Sequence, residues 1–247
     1  MNFIKHQKSL KRINDIKIEI TRDGYDNIGK ILTMLNIKYT SFSGYFKCDI
    51  IFINCKGGYD YIDASKLKKY VENGGIVYAS DWAGSVISTS FPNILTFGTS
   101  SKTGIIKATV NDTDLKKHIG KTIDINFDLP SWHTITKVIG SNVILTSNDS
   151  KLPIMVEIPI GKGIIYFTSF HNHVQTTENK EKIFQLFLLK KIEDIKNTTS
   201  LDTTTSNDNN LNKVKKTEFS KPSFSFGEKK KPTFTFGEKT KNGSNNK

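Results

Sequence analysis

The stretch "NGGIVYASDWAGSVI", residues 73–87, is the most informative about the fold. A double glycine leads into a short run of apolar and small residues, which turns at once into a second apolar segment. A continuous apolar run of this kind is typical of a strand buried in a parallel sheet. A helix that follows directly is what a strand–helix unit requires. The pattern therefore predicts a buried strand over 75–81 and a short helix over 82–91.

The segments before this stretch alternate in the same way. Residues 15–20 and 48–55 are apolar strand-like runs, residues 23–37 have apolar positions at helical spacing, and residues 63–75 begin with Asp63 as an expected N-cap. Strands that alternate with helices favour an open α/β fold, with a mainly parallel sheet and helices on both faces, as in flavodoxin-like proteins.

The alternation of strand-like and helix-like segments ends at about residue 94. Short β-like runs separated by Gly, Asn and Pro predict an antiparallel β insert over about 94–150. Residues 152–170 read as a hairpin around "IGKG" whose second strand returns to the main sheet. A last helix over 179–196 is expected to pack on that sheet through Ile183, Phe184, Phe187 and Leu188.

The positive charge lies at the two ends of the chain. The formal net charge is +12, of which residues 1–12 carry +4 (four basic, no acidic) and residues 197–247 carry +5 (ten Lys, five acidic). The division expected is a basic extension over 1–12, an α/β domain over 13–196 and a disordered basic tail over 197–247. Loose electrostatic contact with nucleic acid is one hypothesis for such ends, and simple solvation is the other.

The tail contains an internal repeat. "KPSFSFGEK" at 221–229 and "KPTFTFGEK" at 231–239 match at a period of ten residues. Two copies cannot form a solenoid, so paired aromatics in a flexible chain suggest docking into apolar grooves of a protein partner. The docking residues would be Phe224, Phe226, Phe234 and Phe236. In a eukaryotic cell such Phe-x-Phe-Gly repeats would resemble those of nuclear-pore proteins.

The two cysteines and the apolar segments bear on the compartment. Cys48 and Cys55 flank a single predicted strand, so they are expected to be free thiols in a reducing compartment. No run approaches the ~18 apolar residues of a membrane helix, and the first residues lack a signal-peptide core. We therefore expect a cytoplasmic protein without membrane contact, with nuclear association if the source is eukaryotic.

Polar side chains follow the strand of residues 75–81. Ser80 and Asp81 are expected at the carboxyl edge of the sheet, where open α/β folds bind ligands. A sharp strand-to-helix turn at this place is also where nucleophile elbows lie, although a working elbow needs Ser or Cys at its apex and a base within reach.

The order of "CDIIFINC", "LKKYVENGGIVYASDWA" and "GKGIIYFTSFHNH" resembles the class I glutamine-amidotransferase-like superfamily, in particular its divergent branch related to trehalose-utilisation (ThuA-like) proteins. The resemblance covers residues 13–195. It implies a catalytic Cys at the turn, where this chain has Ser80, Asp81 and Trp82. It also implies a late Phe-His-Pro-Glu segment, so that His171 matches the family's base.

Two of the three triad functions are missing in this comparison. No Cys stands at the turn, and His173 stands where the orienting Glu is expected. Cys55 follows a different strand and does not replace the nucleophile. Together with Ser80, Trp82 and His133, it is expected to line the cleft.

Three functions follow as hypotheses. The leading one is a non-catalytic amidotransferase-like scaffold, a pseudoenzyme, that binds partners through its tail and needs no cofactor. The second is a metal-assisted or acid–base hydrolase in which Asp81, His171 and His173 act on the substrate or bind a divalent metal. The third is a nucleic-acid-associated protein held by its basic ends.

Overall fold

The computed structural model describes residues 16–100, 102–179 and 183, all within the first of two units, residues 1–205, into which the chain divides. The strands are β1 (Ile18–Ile20), β2 (Thr40–Ser41), β3 (Ile50–Ile53), β4 (Ile76–Ser80), β5 (Leu95–Ser100), β6 (Gly104–Val110), β7 (Thr122–Phe127), β8 (Trp132–Val138), β9 (Asn142–Ser147), β10 (Pro153–Ile160) and β11 (Gly163–Thr168). The helices are α1 (Ile28–Met34), α2 (Ala64–Glu72), α3 (Gly84–Ser90) and α4 (Thr113–Ile119), with short 3-10 turns at Tyr59–Tyr61 and Asp81–Ala83.

Nine of these strands form one mixed sheet in the order β2-β1-β3-β4-β11-β10-β9-β6-β7. The pairings from β2 to β11 are parallel, and those from β11 to β7 are antiparallel. The expectation of a mainly parallel sheet is therefore replaced by a mixed one. The physical reason is that most strands of the insert continue the hydrogen-bond ladder of the main sheet, while β5 and β8 pair separately.

The hairpin predicted over residues 152–170 is confirmed. β10 and β11 pair as an antiparallel hairpin, and β11 then lies parallel to β4 with Thr168 opposite Ser80. The N-cap prediction is also confirmed, because the side chain of Asp63 accepts hydrogen bonds from the amides of Ser65 and Lys66. Both cysteines are free thiols.

Strand β3 shows why the central strands are continuously apolar. Ile50 and Phe52 lie in one hydrophobic cluster with residues of α1, whereas Ile51 and Ile53 lie in a second cluster with residues of α2. Side chains of a strand alternate between its two faces, so β3 and its neighbour β4 are buried on both.

The last helix, predicted over 179–196, begins two residues earlier: residues 177–179 are helical, as is Ile183, which is buried in the first cluster. The predicted roles of Phe184, Phe187 and Leu188, of the basic ends and of the tail repeats fall outside the described residues. Within the part of the chain that is described, no helix has the length and apolar character needed to cross a membrane.

Candidate functional site

Three adjacent strands bring polar residues to one edge of the sheet. Strands β3, β4 and β11 are parallel neighbours, and Cys55, Asp81 and His171 stand just beyond their carboxyl ends. One ligand atom from each residue lies within 4.8 Å of those of the other two. All three residues are buried. We call these three residues the elbow cluster.

Asp81 lies at the centre of the elbow cluster, at the turn between β4 and α3. Its φ is 45°, in the left-handed region that residues other than glycine rarely adopt, and the residue is 1% exposed. The amide of His133 donates to Oδ1 of Asp81 at 2.7 Å, and Nδ1 of His133 lies 3.1 Å from its backbone oxygen. Surrounding contacts of this kind are what a strained turn needs in order to persist.

The other predicted cleft residues surround the elbow cluster. The buried Ser80 accepts a hydrogen bond on Oγ from the amide of Cys55 at 3.2 Å. The ring of His133 contacts those of Trp82 and Phe97, at centroid distances of 4.2 and 4.7 Å. Burial lowers the pKa of His133. Ser80 thus contacts Cys55 of the cluster, and His133 contacts Asp81 by its amide and Nδ1. Trp82 packs against the ring of His133.

His171 joins the cluster through one ring nitrogen and is anchored by the other. Its Nδ1 lies 2.8 Å from Oδ1 of Asp128. An ionised carboxylate only accepts hydrogen bonds, so Nδ1 carries the proton. Its Nε2 lies 3.3 Å from Oδ2 of Asp81 but has no hydrogen-bond partner. Burial lowers the pKa of His171, but Asp81, Asp26 and Asp128 outweigh that effect and leave the pKa above its ordinary value.

Cys55 is the one thiol of the elbow cluster. Its Sγ donates to Oδ2 of Asp81 at 3.4 Å. Burial, followed by the negative charge of Asp81, raises the pKa of this thiol far above its ordinary value. A nucleophilic cysteine needs a thiolate, so Cys55 is held in the unreactive form.

His173 belongs to a different network. Its Nδ1 lies 3.0 Å from Oδ1 of Asp26, and its amide donates to the same oxygen at 3.1 Å. Asn172 donates to Oδ2 of Asp26 from its amide and from its side chain. The predicted convergence of His173 with Asp81 is therefore not observed, because the backbone after β11 turns His173 towards the loop between β1 and α1.

A small cavity lies beside the elbow cluster. It is lined by Asp81, Phe127, Asp128, Leu129, Trp132, Ser169, Phe170 and His171. Its volume is about 10 Å³, roughly the room that one water molecule occupies. An atom-sized occupant fits there, and an amino-acid substrate does not.

Asp26 and Asp128 were not among the predicted site residues. Asp26 stands in the loop before α1, and Asp128 follows β7. The one signal for Asp128 in the sequence is its place directly after the strand-like run "TIDINF", and nothing local marks Asp26 as a partner of residue 173.

Comparison with known proteins supports the amidotransferase-like fold. No family model matches the chain, and no curated protein matches it in sequence. Among solved structures, a candidate GMP synthase component from Thermoplasma acidophilum is 13% identical, covers 76% of this chain and 98% of its own, and has a TM-score of 0.55. A candidate ThuA-like protein from Bacteroides uniformis is 12% identical over 70% of this chain and 89% of its own, with a TM-score of 0.50.

The same fold occurs as part of a larger enzyme. A β-galactosidase from Bacillus circulans is 11% identical over 73% of this chain, with a TM-score of 0.51. The match spans 33% of that enzyme. At these identities the likeness concerns the fold alone, and one fold supports many activities.

Proposed function

We propose that this chain is a non-catalytic domain of amidotransferase-like fold that binds partners, with its tail repeats as docking segments. The observation that carries the proposal is the state of Asp81 at the apex of the elbow. Its Oδ1 accepts from the amide of His133, and its Oδ2 contacts Cys55 and His171. Both oxygens of the carboxylate are thus engaged by the chain itself.

Glutamine hydrolysis would need a thiolate where the chain has a carboxylate. The nearby thiol of Cys55 is kept protonated by burial and by Asp81, and the adjoining cavity of about 10 Å³ is far below the volume of a substrate site, typically about 300 Å³ or more. Both facts favour a role in binding over a role in catalysis.

A hydrolase is the second candidate, and one observation favours it. Asp128, His171 and Asp81 form a continuous chain of contacts, 2.8 and 3.3 Å long. A carboxylate that orients a histidine, which in turn faces a nucleophile or base, is the arrangement of hydrolytic triads. In this hydrolase Asp128 would take the role of the family's orienting Glu, at whose position in the sequence this chain has His173.

One experiment decides between the two candidates. Ammonia release from glutamine and hydrolysis of p-nitrophenyl acetate would be measured for the full chain and for the Asp81→Ala and Asp128→Asn variants. We expect the rates of both reactions to be the same for the three proteins and no higher than in a blank without protein. Turnover by the full chain that both substitutions reduce by about 100-fold or more would reject the non-catalytic proposal and select the hydrolase.

A further inference from the structure

The elbow cluster contains the donor atoms that transition metals prefer. It offers one thiol sulphur, one carboxylate oxygen and one imidazole nitrogen, from Cys55, Asp81 and His171. Zn²⁺ is bound in proteins by these three donor types, commonly with three protein ligands and one water.

Two of the three distances between the donors match those around one tetrahedral ion, and the third, between the Cys55 and His171 donors, lies within 4.8 Å. Ordinary bond lengths of about 2.0 Å to N and O and about 2.3 Å to S place the N and O ligands roughly 3.3 Å apart and the S and O ligands roughly 3.5 Å apart. In the structure Nε2 of His171 lies 3.3 Å from Oδ2 of Asp81, and Sγ of Cys55 lies 3.4 Å from the same oxygen.

An independent observation points to a ligand. Nε2 of His171 is buried without a hydrogen-bond partner, in a residue that is 3% exposed. Buried polar atoms are rarely left unpaired, and a bound ion or water is a common reason. Because Nδ1 of His171 donates its proton in a hydrogen bond to Asp128, the lone pair of a neutral ring would lie on Nε2, the nitrogen that faces the cluster.

The surroundings fit a cation. A metal-binding histidine usually donates its other ring nitrogen to a carboxylate, and Asp128 supplies that contact here. Asp81 and Asp128 both line the small cavity, whose volume of about 10 Å³ has room for one water as the fourth ligand.

We propose that Cys55, Asp81 and His171 bind one divalent transition-metal ion of the zinc class, with a water as the fourth ligand and Asp128 as the orienting partner of His171. The ion displaces the proton of the Cys55 thiol, which is released to solvent, so that the sulphur binds as a thiolate. This site goes beyond the proposed function and differs from the metal site expected from the sequence, because Cys55 replaces His173. A metal here would stabilise the elbow whether or not the protein is catalytic.

The chain offers matched controls for a test. Cys48 is the other cysteine and is also buried, but its Sγ contacts the hydroxyl of Tyr70 instead. His173 is two residues from His171 and is bound to Asp26. Substituting Cys48 or His173 therefore changes the same residue type outside the cluster.

The full chain would be stripped with EDTA and titrated with Co²⁺, and the bound Co²⁺ would then be displaced by Zn²⁺. The unchanged protein and its Cys48→Ser and His173→Gln variants should each bind one equivalent of Co²⁺, with visible bands of tetrahedral Co²⁺ and a sulphur-to-cobalt charge-transfer band. The Cys55→Ser variant should lose the charge-transfer band. Asp128→Asn should weaken Zn²⁺ binding by about 10- to 100-fold.

Thermal unfolding supplies a second readout. Saturating Zn²⁺ should raise the Tm of the unchanged protein, because a ligand that binds the native state stabilises it, and should leave the Tm of His171→Gln unchanged. Failure of the unchanged protein to bind an equivalent of metal would overturn the proposal. So would a charge-transfer band that persists in Cys55→Ser and disappears in Cys48→Ser. Neither result depends on the hydrolysis assays.

Discussion

Asp26 and Asp81 are both almost fully buried carboxylates, but their surroundings differ. Asp26 is saturated by donors, since the amide of Asn27 also donates to it at 2.8 Å besides those of Asn172 and His173. Asp81 receives one backbone donor on its carboxylate and otherwise faces a thiol and an unpaired imidazole nitrogen. These contacts fit a structural role for Asp26, and they place Oδ2 of Asp81 beside the two other donors of the metal site that we propose.

The Asp26→Asn variant should be markedly less stable at neutral pH. Burial raises the pKa of Asp26, but the hydrogen bonds from His173 and Asn172 outweigh it and leave the pKa below its ordinary value. The stability that Asp26 contributes is therefore present above an unfolded-state pKa of about 3.9 and is lost as the pH falls from there through the folded-state pKa. We expect a loss of about 3 kcal/mol at neutral pH, which shrinks in acid.

Urea unfolding of both proteins, at neutral pH and through the acid range, measures this difference. The control is Asp23→Asn, which removes the charge of an exposed acceptor of the Asn27 side chain and should change the free energy of unfolding by about 0.5 kcal/mol or less. If the difference in free energy of unfolding between Asp26→Asn and the unchanged protein stayed constant or grew as the pH fell, the stabilising role of the ionised Asp26 carboxylate would be contradicted.

At the scale of elements, the elbow depends on the close approach of α2 to the hairpin of β10 and β11. Gly163 begins β11, and a Cβ placed there would lie 2.1 Å from the backbone oxygen of Val71 and 2.3 Å from that of Gly75. The absence of a side chain thus lets β11 enter the sheet beside β4, with Thr168 next to Ser80. His171 reaches the elbow cluster because of that register.

We therefore expect Gly163→Ala to lower the free energy of unfolding by about 3 kcal/mol or more, because backbone atoms cannot move aside as a side chain can. At Gly98 the corresponding Cβ would meet Cγ2 of Thr136 at 3.1 Å, and this methyl group can shift. Gly98→Ala should therefore lower the free energy of unfolding by clearly less than Gly163→Ala. Chemical denaturation of both variants gives the comparison, and equal losses would show that the approach of α2 is not the limiting contact.

At the scale of the whole molecule, the chain combines a folded α/β unit with a basic, Phe-containing tail, which predicts two separable modes of binding. Apolar docking by Phe224, Phe226, Phe234 and Phe236 should be insensitive to salt, whereas binding of anionic polymers by the charged ends should fall steeply with salt. The four Phe→Ser substitutions should therefore abolish capture of protein partners and leave retention on heparin unchanged.

The control changes the tail without removing an aromatic ring. Thr233→Ser together with Thr235→Ser makes the second repeat match the first at those positions and should retain full partner capture. Affinity capture with the full chain and quantitative mass spectrometry gives the readout. Partners that remain bound to the Phe→Ser variant but are lost at high salt would favour the electrostatic hypothesis instead.

The local features of the fold could be predicted from the sequence alone. The apolar runs of β3, β4 and β11, the Asp63 cap and the hairpin at residues 152–170 all follow from patterns within about 20 neighbouring residues. The order of these runs was sufficient to predict the strand ends where Cys55, Asp81 and His171 lie. Burial on both faces explains this success, because it requires apolar side chains at every position of the central strands.

The partners of the buried polar groups, in contrast, depend on the tertiary structure. Asp128 meets His171 across 43 residues of sequence, and Asp26 meets Asn172 across 146. No local pattern encodes such contacts, because they depend on how loops from distant strands pack at one edge. The same reason explains why β6, β7 and β9 of the insert extend the main sheet while β5 and β8 do not, why His173 lies beside Asp26 instead of Asp81, and why Cys55 belongs to the cluster that we propose to bind metal.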